Sequence, residues 1–129
     1  MHRGRWLAIA AVSALAAACA GSTAEPAAAP AQPVVAEAGH LTMTARNVAL
    51  TPAVITSVPQ DLTIEYDNQD GGIPHDLVLY AGDVKLAASA IITGPATTTL
   101  TVAKLVPGAY RFTCTVHPNM TASLTVEGG

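Results

Sequence analysis

Residues Tyr110-Arg111-Phe112-Thr113-Cys114-Thr115-Val116-His117-Pro118-Asn119-Met120 are the stretch on which the fold turns. Its first half alternates. Successive side chains of a β-strand project to opposite faces, so Tyr110, Phe112 and Cys114 share one face. This predicts a strand over residues 109–114 that carries two aromatics toward a core and delivers a cysteine at its end. The chain then turns, so that His117 and Met120 can fold back toward the sulfur.

Working outward, the same period recurs. Pro107-Gly108 is a tight turn ahead of the cysteine strand, and residues 121–126 form a strand after it. Residues 97–102 alternate with Leu100 and Val102 inward, and residues 62–66 place Leu62, Ile64 and Tyr66 on one face. Residues 41–45 and 53–58 also read as strands, the first with Met43 in the core. The run Asp67 to Pro74 is dense in turn formers and predicts a loop, after which His75 to Tyr80 begins another strand. Residues 85–92 are Ala-rich and fit either a short helix or an edge strand. The expectation is an all-β protein, an antiparallel sandwich or barrel of seven or eight short strands.

The N-terminal third has a different composition. Residues 1–20 read as an export signal, with His2, Arg3 and Arg5 as a positive start followed by an uncharged run from Trp6 to Ala18. Thirteen residues are too few for a membrane-spanning helix, which needs about 20 apolar positions. Cys19 follows Leu15-Ala16-Ala17-Ala18, which resembles a bacterial lipobox and implies a lipid-modified N-terminal cysteine and membrane attachment. The competing reading is ordinary cleavage after Ala20. Residues 21–39 lack a core-forming pattern and read as an Ala/Pro-rich linker, which leaves residues 40–129 as one domain.

The formal net charge is −3, and beyond Cys19 four basic residues face nine acids, a net −5. Such a balance has no basic patch for nucleic acid. Asp61, Glu65, Asp67, Asp70 and Asp83 fall between strand ends and outward positions and read as a solvated surface, and His40 as a solvated residue at the linker junction.

With Cys19 lipidated or removed, Cys114 has no disulfide partner within the chain, and a free reactive thiol is a liability outside the cytosol. It stands in a C-x2-H-x2-M run with His117 and Met120, and His75 lies 39 residues earlier at a strand start. Thiolate and thioether suit Cu(I), imidazole suits both oxidation states, and two imidazoles, one thiolate and a weak axial thioether are a blue-copper donor set. Four protein ligands leave no open position for a substrate, unlike a catalytic metal site.

The domain resembles the cupredoxins, over roughly residues 40–129. The resemblance is carried by Asn68-x6-His75, by Tyr110-x-Phe112-x-Cys114-x2-His117-Pro118-x-Met120, and by the Pro107-Gly108-x-Tyr110 approach and Ala49-x-x-Pro52. The short ligand loop is closer to that of amicyanins than to the longer loops of azurins and plastocyanins. The resemblance implies a Greek-key β-sandwich binding one type 1 copper ion through His75, Cys114, His117 and Met120. It further implies a monomeric single-electron carrier that is not an enzyme, working outside the cytoplasm between redox partner proteins, with His117 near the surface as the electron port. The alternative is a copper-binding module for buffering or delivery.

Two departures stand out. Asp76 occupies the place where the family usually has asparagine. It can still accept a hydrogen bond from Thr115, and its charge when ionised favours Cu(II). Val116 and Asn119 replace the proline and aromatic of amicyanins, so the docking surface differs. Multicopper oxidases need His-x-His pairs and dinuclear copper domains need C-x3-C; neither pattern is present.

Overall fold

Alternating burial marks the strands directly: β2 (His40–Arg46), β5 (Leu62–Asn68) and β12 (Thr121–Val126) each bury every second residue. The computed structural model describes residue 21 and residues 29–129. The export signal, Cys19 and residues 22–28 of the linker lie outside the described residues. Nine further strands complete the described chain: β1 (Val34–Val35), β3 (Ala49–Thr51), β4 (Val54–Ser57), β6 (Pro74–His75), β7 (Val78–Ala81), β8 (Val84–Ala88), β9 (Ile92–Thr93), β10 (Ala96–Val102) and β11 (Gly108–Thr113).

Two sheets form a β-sandwich, with strand orders β1-β4-β12-β11-β7-β8 and β10-β5-β2-β3, and a short β6-β9 pair stands apart from both. The inward faces supply one core. Met43, Ile64, Tyr66 and Leu100 come from the four-stranded sheet, and Ile55, Leu79, Phe112 and Leu124 from the six-stranded one. Fully burying an aliphatic or aromatic side chain contributes about 1.5–3 kcal/mol, so these positions hold the layers together. Phe112 is fully buried, whereas Tyr110 packs half-buried at the margin and donates its hydroxyl to the Val106 carbonyl at 2.7 Å.

The structure departs from the sequence expectation in the direction of strand pairing and in the stretch after His75. The sheets are mixed and not purely antiparallel, since β2 pairs β5, and β4 pairs both β1 and β12, in parallel. Alternation reports which face a residue is on and carries no strand direction. Of the two readings open for residues 85–92, the edge strand is the one formed: β8 ends the six-stranded sheet, paired to β7. The expected strand from His75 to Tyr80 is broken at Asp76-Leu77. Leu77, fully buried, takes its amide to the Ser89 hydroxyl at 2.9 Å, and His75 pairs with β9 and not with β11.

The ordered fold also begins before residue 40. Val34 and Val35 pair with Ile55 and Thr56, Ala36 is buried, and the Gln60 side-chain amide donates to the Ala36 carbonyl at 3.2 Å. Val34 and Val35 are therefore an edge strand of the six-stranded sheet, and residues 36–39 are hydrogen-bonded to the domain. A two-residue strand is too short to show a period in sequence.

Candidate metal centre

The C-terminal half of the centre comes from the β11–β12 hairpin. Thr113 and Thr121 form its last cross-strand pair, and residues 114–120 make the connection. The loop is closed by its own backbone: the Cys114 amide donates to the Met120 carbonyl at 3.2 Å, and the Met120 amide to the His117 carbonyl at 2.9 Å. Cys114 and Met120 are buried, and His117 is half-buried.

His75 arrives from the β6–β9 pair with none of its surface exposed. Its Nδ1 lies 3.8 Å from Cys114 Sγ and 3.1 Å from His117 Nδ1. The two imidazoles meet edge to face, with centroids 4.8 Å apart and planes at 61°. Ligating atoms of His75, Cys114 and His117 thus all fall within 4.8 Å of one another.

Behind His75 stands a residue that the sequence reading placed on the solvated surface. Asp70 is 8% exposed, and its Oδ2 accepts from His75 Nε2 at 2.9 Å. Backbone amides supply the rest of its cradle: Asn47 donates to Oδ1 at 2.6 Å and Val48 to Oδ2 at 2.9 Å. The Val48 amide above all, then His75 and the Asn47 amide, hold this carboxyl below the usual carboxylate range, against burial that pushes it up. Asp70 is thus a buried, hydrogen-bonded acid and not part of the solvated surface. Its partners are 22 and 23 residues away in sequence, and Asp-Gly-Gly reads locally as an exposed turn.

Asn68 organises the same segment. Its amide donates to the Ile73 and Ile92 carbonyls, each at 2.8 Å, and its carbonyl accepts from the Asp70 amide at 3.0 Å. Gly94 permits this close packing, because a Cβ there would lie 2.7 Å from Asn68 Oδ1 and closer still to the Asp70 carbonyl. Asn68 was legible only as part of a motif, and Gly94 carried no signal at all.

On the opposite side Asp76, also buried, accepts from the Thr115 amide at 2.7 Å and from its hydroxyl at 2.6 Å. The segment after His75 is thereby tied to the residue after Cys114, the contact expected from the sequence. Nearby Tyr66 is fully buried, and its hydroxyl has no hydrogen-bond partner among the described residues. Burial first, then the anionic character of Cys114, Asp76 and Asp70, pushes its phenol above the ordinary range.

The donors fit a soft, redox-active cation. His75 Nε2 lies at hydrogen-bond distance from the Asp70 carboxylate, and the tautomer that donates there presents an Nδ1 lone pair toward Cys114 and His117. A thiol and two imidazole nitrogens packed this closely, largely out of water, form a set of Lewis bases with a cation as their natural common partner. Met120 has its backbone clasped to both Cys114 and His117, and its side chain is buried.

A family model for the cupredoxin-like domain matches residues 8–126. A comparison with curated protein sequences finds no match. Among solved structures the chain is similar to auracyanin A, a "blue" copper protein from Chloroflexus aurantiacus. That match has 17% identity and a TM-score of 0.59, over 74% of this chain and 100% of that one. It is similar to an azurin from Methylomonas sp. strain J at 18% identity and a TM-score of 0.61, over 70% and 99%. A Cu-containing nitrite reductase from Thermus scotoductus matches at 20% identity and a TM-score of 0.54, over 69% of this chain but only 22% of its own. At these identities the structural likeness concerns the fold.

Proposed function

The chain belongs to the cupredoxin-like family, and from that premise we propose that it carries single electrons by cycling one type 1 copper ion between Cu(I) and Cu(II). The observation that carries this reading is the convergence of His75 Nδ1, Cys114 Sγ and His117 Nδ1 in one largely buried cluster. His75, Cys114 and His117 would hold the ion, and the Met120 thioether would be a further, weaker donor. The bound metal supplies the redox chemistry. The protein's part is to hold the donors in place, so that little rearrangement accompanies the electron.

Several features support a carrier over a delivery module. His75, Cys114 and Met120 are each at most 1% exposed, and both braces of the centre are hydrogen-bonded on carboxylates. Exchange of metal would require opening that packing. His117, half-buried, is the donor nearest to solvent and serves in this reading as the electron port. The nitrite reductase likeness covers 22% of that enzyme at 20% identity and concerns the fold, so it carries no argument for catalysis. We place the protein outside the cytoplasm as a monomer, lipid-anchored through Cys19, with redox proteins as donor and acceptor.

The test is a visible and EPR spectrum of the full chain loaded with Cu(II), beside Cys114→Ala. An intense blue thiolate-to-copper band with narrow copper hyperfine splitting, both lost in the variant, is the expected result. A colourless protein, or tetragonal copper signals indifferent to Cys114, would overturn the reading. Rapid copper transfer to an apo-acceptor without redox cycling would favour delivery.

A further inference from the structure

The β2–β3 connection is two residues long, and both adopt the left-handed conformation, Asn47 at φ 52° and Val48 at φ 55°. That is the geometry of a type I′ hairpin turn, which asparagine accepts readily. A β-branched valine does not, and such a conformation persists where the surroundings over-determine it. Here the surroundings are Asp70. Two successive amides in this conformation form an anion-binding concavity, and the carboxylate sits in it with bonds of 2.6 and 2.9 Å.

The carboxylate is held from its own backbone as well. Asn68 accepts the Asp70 amide, and Gly94 lets that stretch of main chain approach without a side chain between. So anchored, Asp70 directs Oδ2 at His75 Nε2. His75 is fully buried, and among the described residues its Nε2 has no second partner.

We propose that Asp70 is a positioning residue: from its cradle of Asn47 and Val48 amides it fixes His75 as the Nε2–H tautomer with Nδ1 toward Cys114, and its charge weights the centre toward Cu(II). Metal-ligating histidines generally give their other ring proton to such a partner, which orients the ring and raises its basicity. The half concerning charge rests on the copper reading above. The half concerning the tautomer is a property of the protein alone.

Two measurements test it. In the metal-free full chain, nitrogen-15 NMR of the His75 ring at about pH 8, where an ordinary imidazole is neutral, should show the proton on Nε2. A predominant Nδ1–H form would overturn the proposal, and no variant needs to fold for that result. The second compares Asp70→Asn with Glu127→Gln in the full chain. Asp70→Asn should weaken Cu(II) binding about 10- to 100-fold and raise the reduction potential. Glu127→Gln removes the same charge from an exposed residue after β12 and should leave affinity and potential at their wild-type values.

An Asp70→Asn protein with only a lowered melting temperature, and wild-type potential and affinity, would reduce Asp70 to a loop brace and overturn the proposal. If the wild-type chain binds no copper, the electron-carrier reading fails, while the ring NMR still decides whether Asp70 sets His75.

Discussion

Cys114, His117 and Met120 come from seven consecutive residues joining adjacent antiparallel strands, whereas His75 comes from a two-residue strand held by side chains and amides far away in sequence. The ligand loop closes on itself through two backbone hydrogen bonds. The His75 segment closes through Asp70 to residues 22 and 23 positions earlier, and through Asn68 to a carbonyl 24 positions later. One half of the centre is therefore encoded by spacing within a hairpin. The other is encoded by a cradle that exists only once both sheets and the β6–β9 pair have assembled. Substitutions remote from the donors should accordingly damage the His75 half far more than the loop half.

Gly94→Ala should break this asymmetry open most strongly. The new Cβ would meet the Asp70 carbonyl and the Asn68 side chain, neither of which can yield without moving the cradle. Overpacking of this kind costs about 3 kcal/mol, the upper end of the usual range. Chemical denaturation of the apo-protein should show that loss, and the copper spectrum should change although no donor is altered. Wild-type stability and spectrum together would mean that the cradle is softer than its distances imply.

A smaller effect is expected from deleting residues 1–37. This removes β1, the burial of Ala36 and the Gln60 bond at the edge of the six-stranded sheet, remote from both halves of the centre. A few net hydrogen bonds at about 0.5–1.5 kcal/mol each give a loss on the order of 2 kcal/mol. The copper spectrum should not move. A changed spectrum would show that the loop half depends on its sheet's edge, against the local closure described above.

Tyr66→Phe should have the smallest effect and the opposite sign. The hydroxyl is buried without a partner, and leaving such a group unsatisfied costs about 1–3 kcal/mol, so its removal should stabilise the fold by about 1 kcal/mol. Thermal melting checks this. A destabilised Tyr66→Phe would mean that the phenol bonds to a group not seen here, and would attach a third support to the centre.

The legibility of the molecule follows the same division. Phe112 and Cys114 could be placed inward from period two alone, and both are fully buried. The β11 strand and the turn after it were readable because local backbone geometry imposes that period. Asp70 was misread because an acid between Gln69 and Gly71-Gly72 has every local mark of an exposed loop. Burial of a carboxylate is decided by whether distant donors arrive to satisfy it, and Asn47 and Val48 carry no such mark. The start of the fold at residue 34 escaped for a related reason: its strand is made by pairing with β4, and its own composition is that of a linker.

The sequence by itself determined the all-β character, the inward residues of the longer strands and the donor types, because strand period and ligand chemistry are properties of neighbouring residues. Only the tertiary structure decided that the sheets are mixed, that the chain breaks at Asp76-Leu77 and that His75 presents Nδ1 to the sulfur. It alone put a buried carboxylate behind that histidine. Each of those depends on which hydrogen-bonding groups meet across the fold, and main-chain amides look alike in any sequence until folding brings them to a partner.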